Sequence, residues 1–397
     1  MTSLDADLLD DPDALATADP RAVLRSLAGA GAQVRRSLEL SRETIPPHWD
    51  PSDRPRAVLV AARGGAAVVG DALAAVVGAA GPVPVVALSG ARLPAWVGSL
   101  DLVVALSLSG RAEGAVAIAG EAGRRGASLL TVGGGDSPLE QVSQRFRGAH
   151  VRLPEPRVDA ASAPTSRTAL WALLTPTLMA CARWGLLPQS APGSEEDLAA
   201  VADALDAEAE ACRPASESFV NPAKSLALEL DGTVPVILGD SQLAAAAARR
   251  AASVIARTAR VPAVHGGLPD DAGDVVATFG GPFASSAQDE VFADPFLDGP
   301  SSIRLRLLLI DTGDGIGFRA VGEIAERSGV GVSEVRAHLE SADPLDVGPA
   351  AGRAESPLQH FARVVARVDF AATYLALASG LDPSLSPHVA ELRDSLP

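Results

Sequence analysis

The sequence is short of most features that mark a secreted, membrane-bound or nucleic-acid-binding chain. It holds two cysteines, Cys181 and Cys212, in 397 residues. Two thiols without ligand spacing leave no disulfide framework and no metal site, and they fit a reducing, cytoplasmic compartment. Aromatics are 4% and Tyr374 is the only tyrosine, which weighs against a stacking platform for sugars or single strands. Lysine is almost missing: Lys224 is the only one, and arginine supplies the rest of the positive charge. The net charge of −16 weighs against nucleic acid and anionic membrane as partners. No apolar run nears the about 20 residues of a membrane span. The acidic opening "MTSLDADLLDDPDAL" lacks the basic start and apolar core of a signal peptide.

What is present is a core and a rhythm. Hydrophobic residues make up 47% of the chain, and its length suits two or three domains. Residues 1–54 read as an N-terminal helical segment. From 55 to 152 short apolar runs alternate with helical stretches: "RAVLVAA" (56–62), "PVPVVAL" (82–88), "LDLVVALS" (100–107) and "ASLLTVG" (127–133) as strands, with helices over 67–80, 112–125 and 138–147. That alternation predicts an α/β fold with parallel strands and crossover helices. The Pro- and Ala-rich stretch 153–166 reads as a linker. Residues 167–397 form a second region. Helices are expected over 167–185, 194–213, 221–231, 241–258, 320–341, 356–379 and 386–395. Strands are expected over 233–239, 261–264, 274–280 and 302–311, with a surface loop over 284–300.

Ligands of parallel sheets sit beyond the carboxyl ends of the strands. Two such ends carry small, polar residues: Gly64-Gly65, and Ser107-Leu108-Ser109-Gly110 in "ALSLSGRAEGAV" (105–116). A strand that runs through such residues into a helix leaves free N–H groups at the positive end of the helix, where an anion binds. Serine hydroxyls add donors, and glycine lets the backbone approach closely. The same residues also serve as an ordinary helix cap and a tight turn, and both readings stay open. A third glycine-rich end, "TVGGGDSPLE" (131–140), lacks the Gly-Lys-Ser/Thr of a P-loop and reads as a turn with Ser137 as a cap.

"ARGGAAVVGDAL" (62–73), "LVVALSLSGRAEGAV" (102–116), "GASLLTVGGG" (126–135), "PEPR" (154–157), "NPAKSLA" (221–227), "VPVILG" (234–239), "RVPAVHGGLPD" (260–270) and "VDFAATYLALASGLDPSLSPHVAEL" (368–392) together resemble the bifunctional phosphoglucose/phosphomannose isomerases. The resemblance runs in order over about residues 55 to 395, and its last segment is the most specific. It implies two sugar isomerase (SIS) domains, each a three-layer αβα sandwich, assembled as a homodimer. The implied activity interconverts fructose 6-phosphate with glucose or mannose 6-phosphate, without metal or organic cofactor. Gly64, Gly65, Ser107, Ser109, Gly110, Arg111 and Ala112 fall on the phosphate loops of that family, and Arg157 on its sugar side.

The resemblance also marks departures. The family's Gly-Gly-Ser is here Gly64-Gly65-Ala66, and its Ser-x-Ser-Gly-Asn-Thr is Ser107-Leu108-Ser109-Gly110-Arg111-Ala112. Two hydroxyls are kept and two are lost, while Arg63 and Arg111 beside the loops can offer charge-assisted bonds or read equally as solvated arginines. Aldose–ketose isomerisation needs a base between C1 and C2 and an acid/base group for ring opening. The family's glutamate position is occupied by Arg257, its histidine position by Gly273, and its late lysine by Arg393. His265, close to Asp270, Asp271 and Asp274, is the candidate for a relocated base. The plainer reading is a loop histidine beside solvated carboxylates.

Three functions follow. The first is a sugar-phosphate binder with isomerase activity weak or lost, able to report sugar-phosphate level to a partner. The second is an isomerase with relocated groups. The third rests on "VGEIAERSGVGVSEVRAHLE" (321–340), which scans as a helix-turn-helix. Its second segment holds one arginine against two glutamates, a poor phosphate-facing surface, and two packed amphipathic helices account for the pattern better.

Overall fold

The structure, a computed structural model, describes residues 4–45, 54–78, 81–88, 92–154, 165, 167–187, 192–284, 303–312, 318–336 and 355–395. In chain order, helices α1 (Ala6–Leu9), α2 (Pro12–Ala18), α3 (Val23–Ala28) and α4 (Ala30–Thr44) lead into β1 (Val58–Ala61), α5 (Val68–Val77), β2 (Val85–Leu88), β3 (Leu102–Ser107), α6 (Glu113–Arg124), β4 (Ser128–Gly134), α7 (Pro138–Arg145) and β5 (Ala149–Leu153). Helices α8 (Leu170–Arg183), α9 (Glu195–Ala211) and α10 (Pro222–Leu230) follow, then β6 (Thr233–Gly239), α11 (Gln242–Thr258), β7 (Val264–Gly267), α12 (Ala272–Thr278), β8 (Arg304–Asp311), α13 (Phe318–Arg327), β9 (Gly331–Arg336), α14 (Pro357–Ala378) and α15 (Pro387–Ser395). They form two compact units, Ala28–Ala207 and Met1–Leu27 with Glu208–Pro397.

The first unit is built on a parallel sheet of order β2-β1-β3-β4-β5. Its inner strands are continuous apolar runs because both faces are covered; β1 and β3 are buried along their whole lengths. Leu59, Ala61, Val103, Ala105 and Leu129 pack with Ile118 and Ala119 of α6 and Leu139 of α7. Helices α4 and α8 pack on each other and on β5 and β4 respectively. The chain passes from β1 outward to β2 and then returns to the other side of β1 to place β3. That reversal opens a crevice between the ends of β1 and β3, the point at which ligands bind in open α/β sheets.

The second unit repeats the design with a parallel sheet of order β7-β6-β8-β9. Helix α14 is its centrepiece. A capping box of Ser356 and Gln359 starts it, and nearly every residue along its 22 positions is buried. It packs on α10 and α11. Each unit thus carries a parallel-stranded sheet flanked by helices, the α/β architecture expected from the alternation.

Three segments differ from the sequence-based reading. The strand expected over 261–264 lies instead at Val264–Gly267, sharing only Val264. Residues 274–280, expected as a strand, fall mostly in α12: Val275 and Phe279, four apart, are the buried pair, so the apolar period is helical. Residues 320–341, expected as one helix, divide. Helix α13 stops at Arg327, Gly329 turns the chain in the left-handed region at φ 72°, and β9 pairs with β8. Along β9, Ser333 and Val335 are buried while Gly331, Glu334 and Arg336 are exposed, which is the period of a strand. The second helix of the helix-turn-helix reading is therefore absent over 331–336, and 337–340 lie outside the described residues. The loop expected over 284–300 also lies outside them, Ala284 excepted.

Candidate functional site

The two polar loops singled out in the sequence lie side by side. β1 and β3 are direct neighbours with Ala61 opposite Ala105, so the chain leaves both strands at the same edge of the sheet. After β1, Gly64 takes φ 60° and opens one tight turn, closed by Ala66 N–H to Arg63 O (3.3 Å) and Ala67 N–H to Gly64 O (3.1 Å). After β3, Gly110 takes φ 66°, and its N–H closes on Ser107 O at 2.8 Å.

The serines order the second loop. Ser107 Oγ accepts from Ala112 N–H at 3.2 Å, and Ser109 Oγ accepts from Arg111 N–H at 3.3 Å. A hydroxyl that accepts still has its own O–H to give. Ser107 is only 6% exposed, and Ser109 is exposed. Ala112 stands at the N-cap of α6 and supplies no side-chain bond, so the first-turn N–H groups of α6 stay open at its positive end. By contrast Ser137, Asn221 and Ser241 cap α7, α10 and α11 with their side chains. Ala112 itself contributes position, because its N–H is engaged by Ser107.

Sequence reasoning missed the brace behind this loop. Gly134 N–H donates to Leu108 O at 3.0 Å and Leu139 N–H to Gly110 O at 3.1 Å. A Cβ on Gly133 would stand 2.3 Å from Ser107 O, and one on Gly110 would stand 2.1 Å from Ser137 Oγ. The glycines of 133–134 therefore let the end of β4 pack against the serine loop. The signal was the glycine run itself, read only as a turn. Ser137 does cap α7, accepting from Glu140 N–H at 3.3 Å. Gly70 packs α5 on β2, since its Cβ would meet Ala87 Cβ at 2.8 Å.

The remaining candidates are dispersed. Arg157 lies outside the described residues. His265 is exposed on β7, opposite Ile237, in the unit that does not carry the glycine and serine loops. Asp271 accepts from Gly267 N–H at 2.7 Å and closes the turn after β7, while Asp270 and Asp274 are exposed. Arg257 sits in the last turn of α11, and its carbonyl accepts from Ser386 Oγ at 3.0 Å.

A second polar cluster, unseen in the sequence, occupies the matching crevice of the second sheet, between the ends of β6 and β8. Thr312 donates its N–H and Oγ1 to Asp240 Oδ1, both at 3.3 Å. Ser241 Oγ and Thr312 Oγ1 are 2.9 Å apart, and His360 Nδ1 lies 2.8 Å from Thr312 O. Burial pushes the Asp240 carboxyl up to about 6; the Asp311 carboxylate adds to the rise and the Thr312 bonds oppose it. A carboxyl raised on folding stabilises the native state while protonated, and that contribution is lost as pH rises through the native value. Stability should therefore fall between about pH 4 and pH 7. Asp240→Asn keeps an acceptor for Thr312 and should flatten the fall by about 1–2 kcal/mol, the full linkage value reduced for solvent screening. Urea titrations across that range check it.

Among the described residues no group of three His, Cys, Asp or Glu side chains is placed to hold a metal ion, and no helix is long and apolar enough to cross a membrane. Compared with known proteins, residues 219–396 match the bacterial phospho-glucose isomerase C-terminal SIS domain. No curated protein matches the chain in sequence. Solved structures share the fold. A candidate phosphosugar isomerase of Silicibacter pomeroyi is 20% identical, with TM-score 0.56 over 91% of this chain and 99% of that one. The C-terminal domain of glucosamine-fructose-6-phosphate aminotransferase from Francisella tularensis is 11% identical, with TM-score 0.59 over 92% and 98%. A hypothetical protein of Thermus thermophilus is 16% identical, with TM-score 0.59 over 99% and 98%.

Proposed function

We propose that this chain, SIS-type in fold and matching the bacterial phospho-glucose isomerase C-terminal SIS domain over residues 219–396, binds a hexose phosphate and turns it over weakly or not at all. The observation that carries the reading is the pair of loops at the β1/β3 crevice. There Ser107 and Ser109 hold the loop amides in place and keep their hydroxyl protons to give, beside a helix start without a side-chain cap. Backbone N–H groups, two hydroxyls and a helix dipole converging on one point suit a phosphate. Gly64, Gly65, Ser107, Ser109, Gly110 and Arg111 are its proposed ligands, with Ala112 setting the helix start and Arg157 on the sugar side.

The chemistry is where the reading departs from an isomerase. Arg257 and Gly273 stand where the resembled family has its base and its ring-opening histidine. A guanidinium does not shed its proton near neutral pH, and glycine offers none. Losing a positioned base typically costs about 10²–10⁴-fold in rate. A binder of this kind, as a cytoplasmic homodimer, would report sugar-phosphate level to a partner.

Calorimetric titration with fructose 6-phosphate, glucose 6-phosphate and the free sugars tests the reading. The phosphorylated sugars should bind and the free ones should not. Ser107→Ala should weaken binding about 10- to 100-fold, the worth of a hydrogen bond to a charged group. No heat with any hexose phosphate would defeat it. The second reading, an active isomerase using His265, predicts coupled-assay turnover of fructose 6-phosphate that His265→Ala abolishes.

A further inference from the structure

The side chain of Arg63 meets a glycine from a distant part of the sequence, Gly114, beside the proposed site. Arg63, extended at φ −132° and ψ 158°, leads into the first glycine turn. A Cβ built on Gly114 would stand 3.2 Å from Arg63 Nε and 3.3 Å from its Cζ. The guanidinium therefore reaches from the end of β1 to the first turn of α6. A Cβ at 114 would press on the guanidinium by a few tenths of an ångström and a larger side chain by more, so glycine, a poor helix residue, leaves room for that seat.

The placement is electrostatically one-sided. The start of α6 bears the positive end of the helix dipole, and cations are favoured at the opposite end of a helix. Arg63 is exposed and forms no ion pair with a carboxylate among the described residues; the same holds for Arg111 in the next loop. Glu113, in the same turn of α6, pairs with neither. The Arg63 guanidinium and a set of open amides lie at the start of one helix, and an anion there would complete the arrangement.

We infer that Arg63 is a ligand of the bound anion and sets the charge that the site selects, favouring a dianionic phosphate monoester over a singly charged sulfate ester. The inference rests on the sugar-phosphate reading above. Arg63 takes over from the hydroxyls that Ala66 and Ala112 cannot supply. Its planar fork of N–H donors matches two phosphate oxygens at once. A phosphate monoester loses its second proton near pH 6, so affinity rises from about pH 5 to about pH 7.5, and a sulfate ester shows no such rise.

The test is calorimetric titration of wild type, Arg63→Ala, Arg63→Lys and Gly114→Val with glucose 6-phosphate and glucose 6-sulfate at both pH values. Arg63→Ala is expected to weaken phosphate binding about 10- to 100-fold, sulfate binding less than about 3-fold, and to reduce the pH dependence. Arg63→Lys falls between, because it keeps the charge without the fork. Gly114→Val displaces the guanidinium while leaving it in the chain, and should resemble Arg63→Ala. Phosphate affinity unchanged in Arg63→Ala, with Ser107→Ala still weakened, would overturn the role of Arg63 and leave the site standing. Absence of binding by wild type to either ester would overturn both. Melting curves check that the variants are folded.

Discussion

Lys224→Met is expected to lower the stability of the unit formed by Met1–Leu27 and Glu208–Pro397 by about 3–5 kcal/mol, and to expose the N-terminal segment to protease. The side chain is fully buried in the first turn of α10. Its ammonium donates to the carbonyl of Leu9 and to those of Pro214 at 2.8 Å and Ser216 at 2.6 Å. It lies 5.6 Å from the centre of the Tyr374 ring and 3.8 Å from Asp10 Oδ1. Burial lowers its affinity for the proton, and Asp10 offsets part of that. Three N–H bonds meet three carbonyls, so removing the ammonium orphans all three acceptors at about 1–3 kcal/mol for each one that water does not reach. Leu9 belongs to the N-terminal segment, so its tether loosens first. Ser218 to Asp10 and Asp5 N–H to Ala378 O remain. Lys224→Arg should not rescue, because a planar fork cannot meet three carbonyls arrayed around a point. That accounts for one lysine surviving in a chain whose other cations are all arginine. Urea denaturation with linear extrapolation, and the cleavage rate near residue 10, measure the effect. A loss under about 1 kcal/mol would mean that water replaces the ammonium.

The same residue illustrates what the sequence could and could not say. The solitary lysine was visible; the carbonyls that hold it come from the N-terminal segment and from the turns before α10, and no local pattern points to them. Strands β1, β3, β4 and β6 were legible because a strand buried on both faces is a run of Val, Leu and Ala with few alternatives. β9 was not, because its Gly-Val-Ser-Glu-Val-Arg alternation follows a helix closely enough to be absorbed into it. α12 was misread because two adjacent valines carry strand propensity, which tertiary packing of Val275 and Phe279 overrode.

At the site, Ser107, Ser109 and Gly110 were legible as small polar residues at a strand end. That β1 and β3 are neighbours, which turns two loops into one crevice, depends on strand order. So do the brace by Gly133 and the seat of Arg63 on Gly114. The Asp240 and Thr312 cluster escaped because "GDSQ" and "IDTG" read as ordinary turns until their strands are placed side by side. The linker at 153–166 was placed by composition. Compactness is a different criterion, and by it α8 and most of α9 group with the first sheet.

Glu208→Ala should cost about 3–5 kcal/mol, the loss typical when one partner of a buried ion pair is removed. Glu208 on α9 is fully buried. Arg367 of α14 meets it as a fork, Nε to Oε1 at 2.7 Å and Nη2 to Oε2 at 3.2 Å, and Arg363 Nη1 stands 3.9 Å away. Arg363 has Glu355 as a second partner, at 2.8 and 3.2 Å, so it stays paired when Glu208 is gone. Among the described residues Arg367 is left with the carbonyl of Arg336 at 3.0 Å, and its charge stays in a site that admits little water. The cost is thus the stranded guanidinium more than the lost attraction, and a double variant tells the two apart. Glu208→Leu with Arg367→Met removes both charges and fills similar volume, and should recover all but about 1–2 kcal/mol, the remainder being the unmet Arg336 carbonyl. Denaturation of the two single variants and the double variant gives the coupling directly. If the double loses as much as the sum of the singles, the pair is not coupled and each residue acts by packing alone. Recovery in the double would mean that the pair adds little by its own attraction, leaving Tyr374, whose hydroxyl donates to Cys212 O at 2.7 Å, and the apolar face of α14 to hold the unit together.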